Sequence, residues 1–366
     1  MANPLYSHDV QNPASPKVSG SHRDLLDAIT LVDSKETPLF SIVPKGSAPT
    51  NILFEWPVDK QLAPVDSAVI DGSDLAHNSD ASLSNFDNAQ GDYDVLSNRV
   101  QWFREQALVS KLTQDVQNQA GVPNHYQYAV RKKLLQLKRI IEATICGDTF
   151  TYNDGGATYT GEPVTGTSSA ANRTRVLGRW IDNGNTALPA AYRTPAASVE
   201  SSTTAGSLSE AQVNDVMQSI YEETGQVKVF SLLAGPDLKK RFKDFTQTQF
   251  ANANVASAIK VYNQEMGSKK IVNTVDIYEG DFGTIELIPS LWLNHDLGFS
   301  TTNLGTTAKA RGYVLNMDLL EMRFNQMPKV TQLTDNGGGP RFAVDTIAGL
   351  CVKNPLGLGA FKLTGS

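Results

Sequence analysis

Residues 124–147 read NHYQYAVRKKLLQLKRIIEATICG, and this stretch decides the fold. Tyr128, Leu134, Leu135, Ile141 and Ile145 fall near one face at helical spacing, and Gly147 is placed to stop the helix. At 1.5 Å per residue such a helix is roughly 33 Å long. The same stretch carries Arg131, Lys132, Lys133, Lys138 and Arg139 with no acid among them.

Upstream the charge inverts. Between Gln61 and Asn98 there is no Lys or Arg, while Asp66, Asp71, Asp74, Asp80, Asp87, Asp92 and Asp94 all lie there. This acidic stretch is rich in Asp, Ser, Asn and Gly and poor in large apolar residues. It cannot form a core of its own, so it reads as a long excursion that must rest on something else. Strands bracket it. Ile52, Phe54 and Trp56 alternate onto one face before it, and the extended run Val95–Val109, with Val100, Trp102 and Phe103, follows it. Further back, residues 1–20 form a polar arm. Ser21 is an N-cap candidate for a short helix with Asp24 in its first turn and Leu25, Leu26 and Ile29 behind, which must end before Pro38.

Downstream of the long helix, residues 148–206 lose periodicity and fill with Gly, Ser, Thr, Ala and Asn. Trp180 and Ile181 are their expected anchor, because an indole amid polar residues marks a buried foothold. The segment is otherwise expected to be a surface insertion. A second compact region starts at Ser207, with a capping box to Glu210 predicted ahead of Val213, Val216, Met217, Ile220 and Tyr221. Val227–Leu233 reads as a buried strand, and Gly235-Pro236-Asp237 opens a helix with Leu238, Phe242 and Phe245 inward. Strands follow near Lys270–Tyr278 and Thr284–Ile288, and Tyr313–Phe324 and Phe342–Val352 read as two long ones. The class is α+β, with no internal repeat.

The 366 residues, 40% of them apolar and 19% charged, suit a globular chain with a sizeable core. A net charge of −6 argues against a protein built to grip nucleic acid. No apolar run approaches a membrane span, and residues 1–20 lack the apolar block of a secretory signal. Cys146 and Cys351 sit in apolar contexts and are expected as small buried side chains.

No catalytic, cofactor-binding or metal site is expected. The five histidines, at 8, 22, 77, 125 and 295, form no metal-ligand pair. Gly337-Gly338-Gly339-Pro340 lies between strands and reads as a hairpin turn rather than a phosphate cradle. Asp71-Gly72-Ser73-Asp74 and Asp92-Tyr93-Asp94 lack EF-hand spacing and read as solvated acidic loop. The basic run 131–139 has three readings: a solvated helix face, a subunit contact, or a touch on DNA. A hydrolase with a dispersed site and a surface binding module stay open as alternatives.

The order of segments resembles a family of major head proteins of tailed bacteriophages. The resemblance rests on Asp24-Leu25-Leu26-Asp27-Ala28-Ile29, on Glu36 to Gly46 (ETPLFSIVPKG) and on Phe54 to Asp59 (FEWPVD). It continues through Leu134–Glu142, Arg175 to Ile181 (RVLGRWI), Leu208–Tyr221, Gly235-Pro236-Asp237 and Asp281-Phe282-Gly283-Thr284. It implies the tailed-phage capsid fold, shared with encapsulins and the herpesvirus capsid floor. On that plan the N-terminal arm is 1–48, the extended β-hairpin loop 49–108, and the peripheral domain 109–147 with 311–366, its spine helix 124–146. A polar insertion is 148–204 and the axial domain 205–310.

The resemblance also implies a homo-oligomeric shell of hexamers and pentamers around double-stranded DNA, assembled in the host cytoplasm, with a portal protein at one vertex. Scaffolding and decoration proteins are further partners, and contact with packaged DNA is weak and non-specific. An encapsulin-like shell holding cargo is the alternative. An arm and loop that cannot bury themselves imply obligate assembly, with interfaces of roughly 2,000 Å². The acidic loop, through Asp71, Asp74 and Asp80, is expected to dock on Arg131, Lys132, Lys133, Lys138 and Arg139 of a neighbour.

Overall fold

The computed structural model describes residues 36–61, 68, 71–72, 93–116, 124–147, 152–154, 157–202, 204–245, 249–250, 259–260, 275–293 and 309–364. The short helix expected after Ser21 and most of the acidic stretch lie outside the described residues. In chain order the elements begin with α1 (Pro38–Ile42), β1 (Lys45–Gly46), β2 (Leu53–Val58), β3 (Asp94–Arg99), β4 (Gln101–Leu108), α2 (Lys111–Val116) and the long helix α3 (His125–Ile145). There follow β5 (Tyr152–Asp154), β6 (Ala157–Tyr159), α4 (Leu177–Trp180), β7 (Val199–Glu200), α5 (Glu210–Thr224), β8 (Lys228–Ala234) and α6 (Pro236–Phe245). The rest are strands: β9 (Gln249–Phe250), β10 (Ile259–Lys260), β11 (Ile277–Gly280), β12 (Gly283–Pro289), β13 (Arg311–Leu315), β14 (Leu320–Leu333), β15 (Arg341–Val352) and β16 (Gly359–Lys362).

Helix α3 starts where Asn124 accepts the Gln127 N–H at 3.1 Å. Its inward line is Leu134, Leu137, Ile141 and Ile145, a spacing of three, four and four. Leu135, expected inward, sits about 100° round from Leu134 and is 41% exposed. The helix packs on β4 and β15 of a four-stranded sheet ordered β1-β14-β15-β4. Strands β14 and β15 are one long antiparallel hairpin whose turn is the expected Gly337–Pro340 segment. There Asp335 accepts the N–H groups of Gly337 and Gly339 at 2.8 and 3.1 Å. Gly339 has φ 121°, and a Cβ on it would run into the Val109 carbonyl oxygen.

The second sheet has six strands in the order β11-β12-β8-β13-β16-β7. Its pleat sends Leu232, Val314 and Phe361 to one face and Leu233, Tyr313 and Ala360 to the other. Helices α5 and α6 cover the first face with Val213, Val216, Ile220, Leu238 and Phe242. Gly312 lets α6 approach: a Cβ there would meet the Leu238 side chain at 2.5 Å. The other face meets the core that contains the end of α3 and Leu177, Trp180, Ile181, Leu188 and Tyr192.

That arrangement corrects four expectations. The segment after α3 is not a surface insertion with one foothold, because a sheet apolar on both faces needs a second cover and residues 176–192 supply it. The sheet of the 205–310 region does not end at 310, since β8 would have a bare edge without β13, which pairs it antiparallel, Leu233 opposite Tyr313. The long strand expected from Tyr313 to Phe324 is two strands in different sheets. Asn316 accepts the Asp318 N–H and starts a 3-10 turn between them. The capping box is formed by Ser209 and Gln212, not Ser207 and Glu210. Ser207 ends a 3-10 turn and Leu208 is fully buried, so the helix starts two residues later.

Candidate inter-subunit surface

The base of the excursion is an antiparallel β2–β3 pair with Leu53 opposite Arg99 and Val58 opposite Asp94. Alternation puts Phe54, Trp56 and Leu96 into the core. Trp56 lies 5.7 Å, centroid to centroid, from both Phe54 and Trp180, and the Arg175 guanidinium sits 4.5 Å over the Trp180 ring. Asn98, fully buried, ties three segments together. Its amide donates to Thr174 Oγ1 at 3.0 Å and to the Leu350 carbonyl at 2.6 Å, and its oxygen accepts the Arg175 N–H at 2.8 Å. The excursion is thus clamped at its root by the segment that holds the expected anchors Trp180 and Ile181, both with 0% exposure.

The basic run on α3 divides. Lys133 reaches Glu105 of β4 at 2.7 Å, both side chains half-buried. Lys132 lies 5.0 Å over the Tyr128 ring and is exposed, as are Arg131 and Lys138; Arg139 is half-exposed. Asp71 is exposed in a turn with Gly72, and among the described residues no ion pair joins it to α3. Asp74 and Asp80 lie outside the described residues. The structure therefore leaves Arg131, Lys132 and Lys138 exposed, turns Lys133 onto β4, and describes only one of the three aspartates.

One turn beyond the cations is a residue the sequence reading passed over. Glu142, 1% exposed, accepts the Leu39 N–H on Oε1 at 2.8 Å and the Phe40 N–H on Oε2 at 2.6 Å. It thereby satisfies free donors in the first turn of α1. Burial pushes its carboxyl up to about 7, against the two backbone donors and the Cys146 thiol, which hold it down. Burial, helped by the nearby carboxylate, pushes the Cys146 thiol up. A carboxylate within a basic helix reads as an ion-pair partner, and nothing local in the sequence says that it faces another helix's N-terminus.

Exposed apolar side chains form two further faces. On the four-stranded sheet, Trp102 of β4 is half-exposed under the Arg104 guanidinium, 3.8 Å from the ring, and Leu108, Met327 and Leu333 are exposed on the same sheet. On the six-stranded sheet, Val229 and Ile277 are exposed with the nearby Val227. Among the described residues, no group of three His, Cys, Asp or Glu side chains could hold a metal ion, and no helix is long and apolar enough to cross a membrane.

A family model described as SU10 major capsid protein matches residues 9–364. No curated protein sequence matches the chain. In fold the chain is similar to the capsid of cyanophage P-SCSP1u, with 12% identity, a TM-score of 0.55, and 100% of this chain and 99% of that one covered. It is likewise similar to the cyanophage A-1(L) capsid, with 11% identity, a TM-score of 0.58 and 94% and 97% covered. The mature capsid of bacteriophage PhiM1 matches with 11% identity, a TM-score of 0.55 and 99% and 97% covered.

Proposed function

The chain belongs to the SU10 major capsid protein family, and on that premise we propose that it assembles as hexamers and pentamers into an icosahedral head around double-stranded DNA. It is a structural subunit of a virion shell, and its first partner is another copy of itself. The family match across residues 9–364 carries this reading and favours a head over a cargo-holding shell. The clamped root of the β2–β3 hairpin supports it physically, because a rigid base is what an extended loop needs to reach a neighbour. Negative-stain images of the purified protein should show closed shells. Monomers or dimers alone, in particles and infected cells, would refute the reading.

Within the shell, the acidic loop of one subunit docks on the basic helix face of the next. Arg131 and Lys132 are the cations most available for it, Lys133 being engaged by Glu105 and Lys138 bordering the groove beside α1. Individual exposed pairs are worth about 0–1 kcal/mol, so the contact acts through repetition and steering. Reversing Asp71, Asp74 and Asp80 to Lys should slow or misdirect assembly, and adding Arg131→Glu and Lys132→Glu should partly rescue it. Normal assembly of the loop variant at low and moderate salt would leave the aspartates a solubility role only. Assembly takes place in the host cytoplasm, with a portal at one vertex, scaffolding and decoration proteins as further partners, and only weak contact with DNA. The shell turns over no substrate.

A further inference from the structure

A groove of about 380 Å³ runs between α1 and the exposed side of α3. Its floor is apolar, with Ile42 and Leu135 both about two-fifths exposed, and Lys138 and Arg139 stand along one wall. Apolar side chains left open beside cations suit an occupant that is amphipathic and acidic.

The chain itself delivers one. Glu36 lines the groove and is its point of entry into the described structure. Two contacts fix that entry: the Trp292 indole N–H donates to the Glu36 carbonyl at 2.8 Å, and Glu142 holds the start of α1 as described above. The residues just before it, 24–36, read DLLDAITLVDSKE. Leu25, Ile29 and Val32 are spaced four and three apart, so one helical face is apolar. Asp24, Asp27, Asp33 and Glu36 against Lys35 leave the segment with a charge of −3. Seven residues separate Ile29 from Glu36, about 10 Å as helix, which keeps the apolar face close to a groove that Glu36 already borders.

We propose that residues 24–33 pack as an acidic amphipathic helix in this groove of their own subunit, with Leu25, Ile29 and Val32 over Leu135 and Ile42, and with Asp24 and Asp27 toward Lys138 and Arg139. The arm is then tethered along α3 rather than leaving the subunit at Glu36, and only residues before 24 are free to reach neighbours.

Amide hydrogen exchange on the full-length protein tests this. Residues 24–33 should exchange at least tenfold more slowly than residues 1–20. Leu135→Asp should erase most of that protection while 125–145 stays protected. Lys138→Glu should lower it several-fold, and Asp27→Lys in the same chain should restore part of it. Ile29→Cys with Leu135→Cys, bridged by a short bismaleimide, should give a cross-linked monomer on a denaturing gel. Unprotected residues 24–33, protection indifferent to both groove variants, or cross-linking only between copies would each overturn the proposal. The last would place a neighbour's arm in the groove.

Discussion

The two halves of α3 share one helix and differ in almost everything else. From Arg131 to Arg139 the side chains are mostly exposed or half-exposed, Leu137 apart, and the charge is all positive. From Ile141 to Cys146 every residue is buried, and the only charged group is a carboxyl. The first half is a surface whose partners lie largely outside this chain's core. The second is where α1, the six-stranded sheet and residues 176–192 meet, the Gly178 N–H donating to the Gly147 carbonyl at 3.0 Å. The unbroken helical pattern along the stretch hides this, since burial and not propensity sets what a substitution costs.

The largest effect should come where that junction is thickest. Trp180→Ala removes a fully buried indole packed on Trp56 and Arg175 and should cost about 3–5 kcal/mol. Urea unfolding of unassembled subunits measures it, with loss of soluble protein as the extreme. A near-neutral result would return residues 176–192 to the surface and undo the contrast.

Glu142→Gln comes next. The amide keeps one acceptor for two N–H donors and should cost about 1–3 kcal/mol. The variant also has a pH signature. Glu142 titrates at about 7 in the folded protein and near its ordinary 4.5 when unfolded. Between those values the folded state keeps a proton that the unfolded state has released. Stability from this group is therefore full below 4.5, falls as pH rises through the window, and is lowest above 7. The span is on the order of 3 kcal/mol. Comparing unfolding midpoints of wild type and variant across that window should show the slope only in the wild type. Equal slopes would assign the titration elsewhere.

The smallest effect belongs to the exposed half. Lys133→Ala breaks the 2.7 Å pair to Glu105 and should cost no more than about 1 kcal/mol. A larger loss in unassembled subunits would mean that this half is also part of the core.

Much of this was legible before any coordinates. The start of the long helix near Asn124, the β14–β15 turn at its glycines and the helix opening at Pro236 all follow from local backbone chemistry. The same local rules misplaced the start of α5, because Ser207 and Ser209 both offer a capping pattern and only the burial of Leu208 chooses between them. They also could not see Asn98 and Glu142, which look like ordinary polar residues until distant segments surround them.

By itself, then, the sequence determined the period of each element, the separation of acid from base along the chain, and an order of segments similar to that of a major capsid protein. These are properties of neighbours in the chain, fixed by backbone geometry and side-chain spacing. The tertiary structure alone decided that the polar stretch after α3 carries the core's second layer, that β13 and β16 complete the six-stranded sheet, and that one carboxyl of a basic helix is sealed against another helix's first turn. Each depends on which apolar faces meet at long range, and the cost of leaving a sheet face or a strand edge bare is invisible until the whole chain has packed.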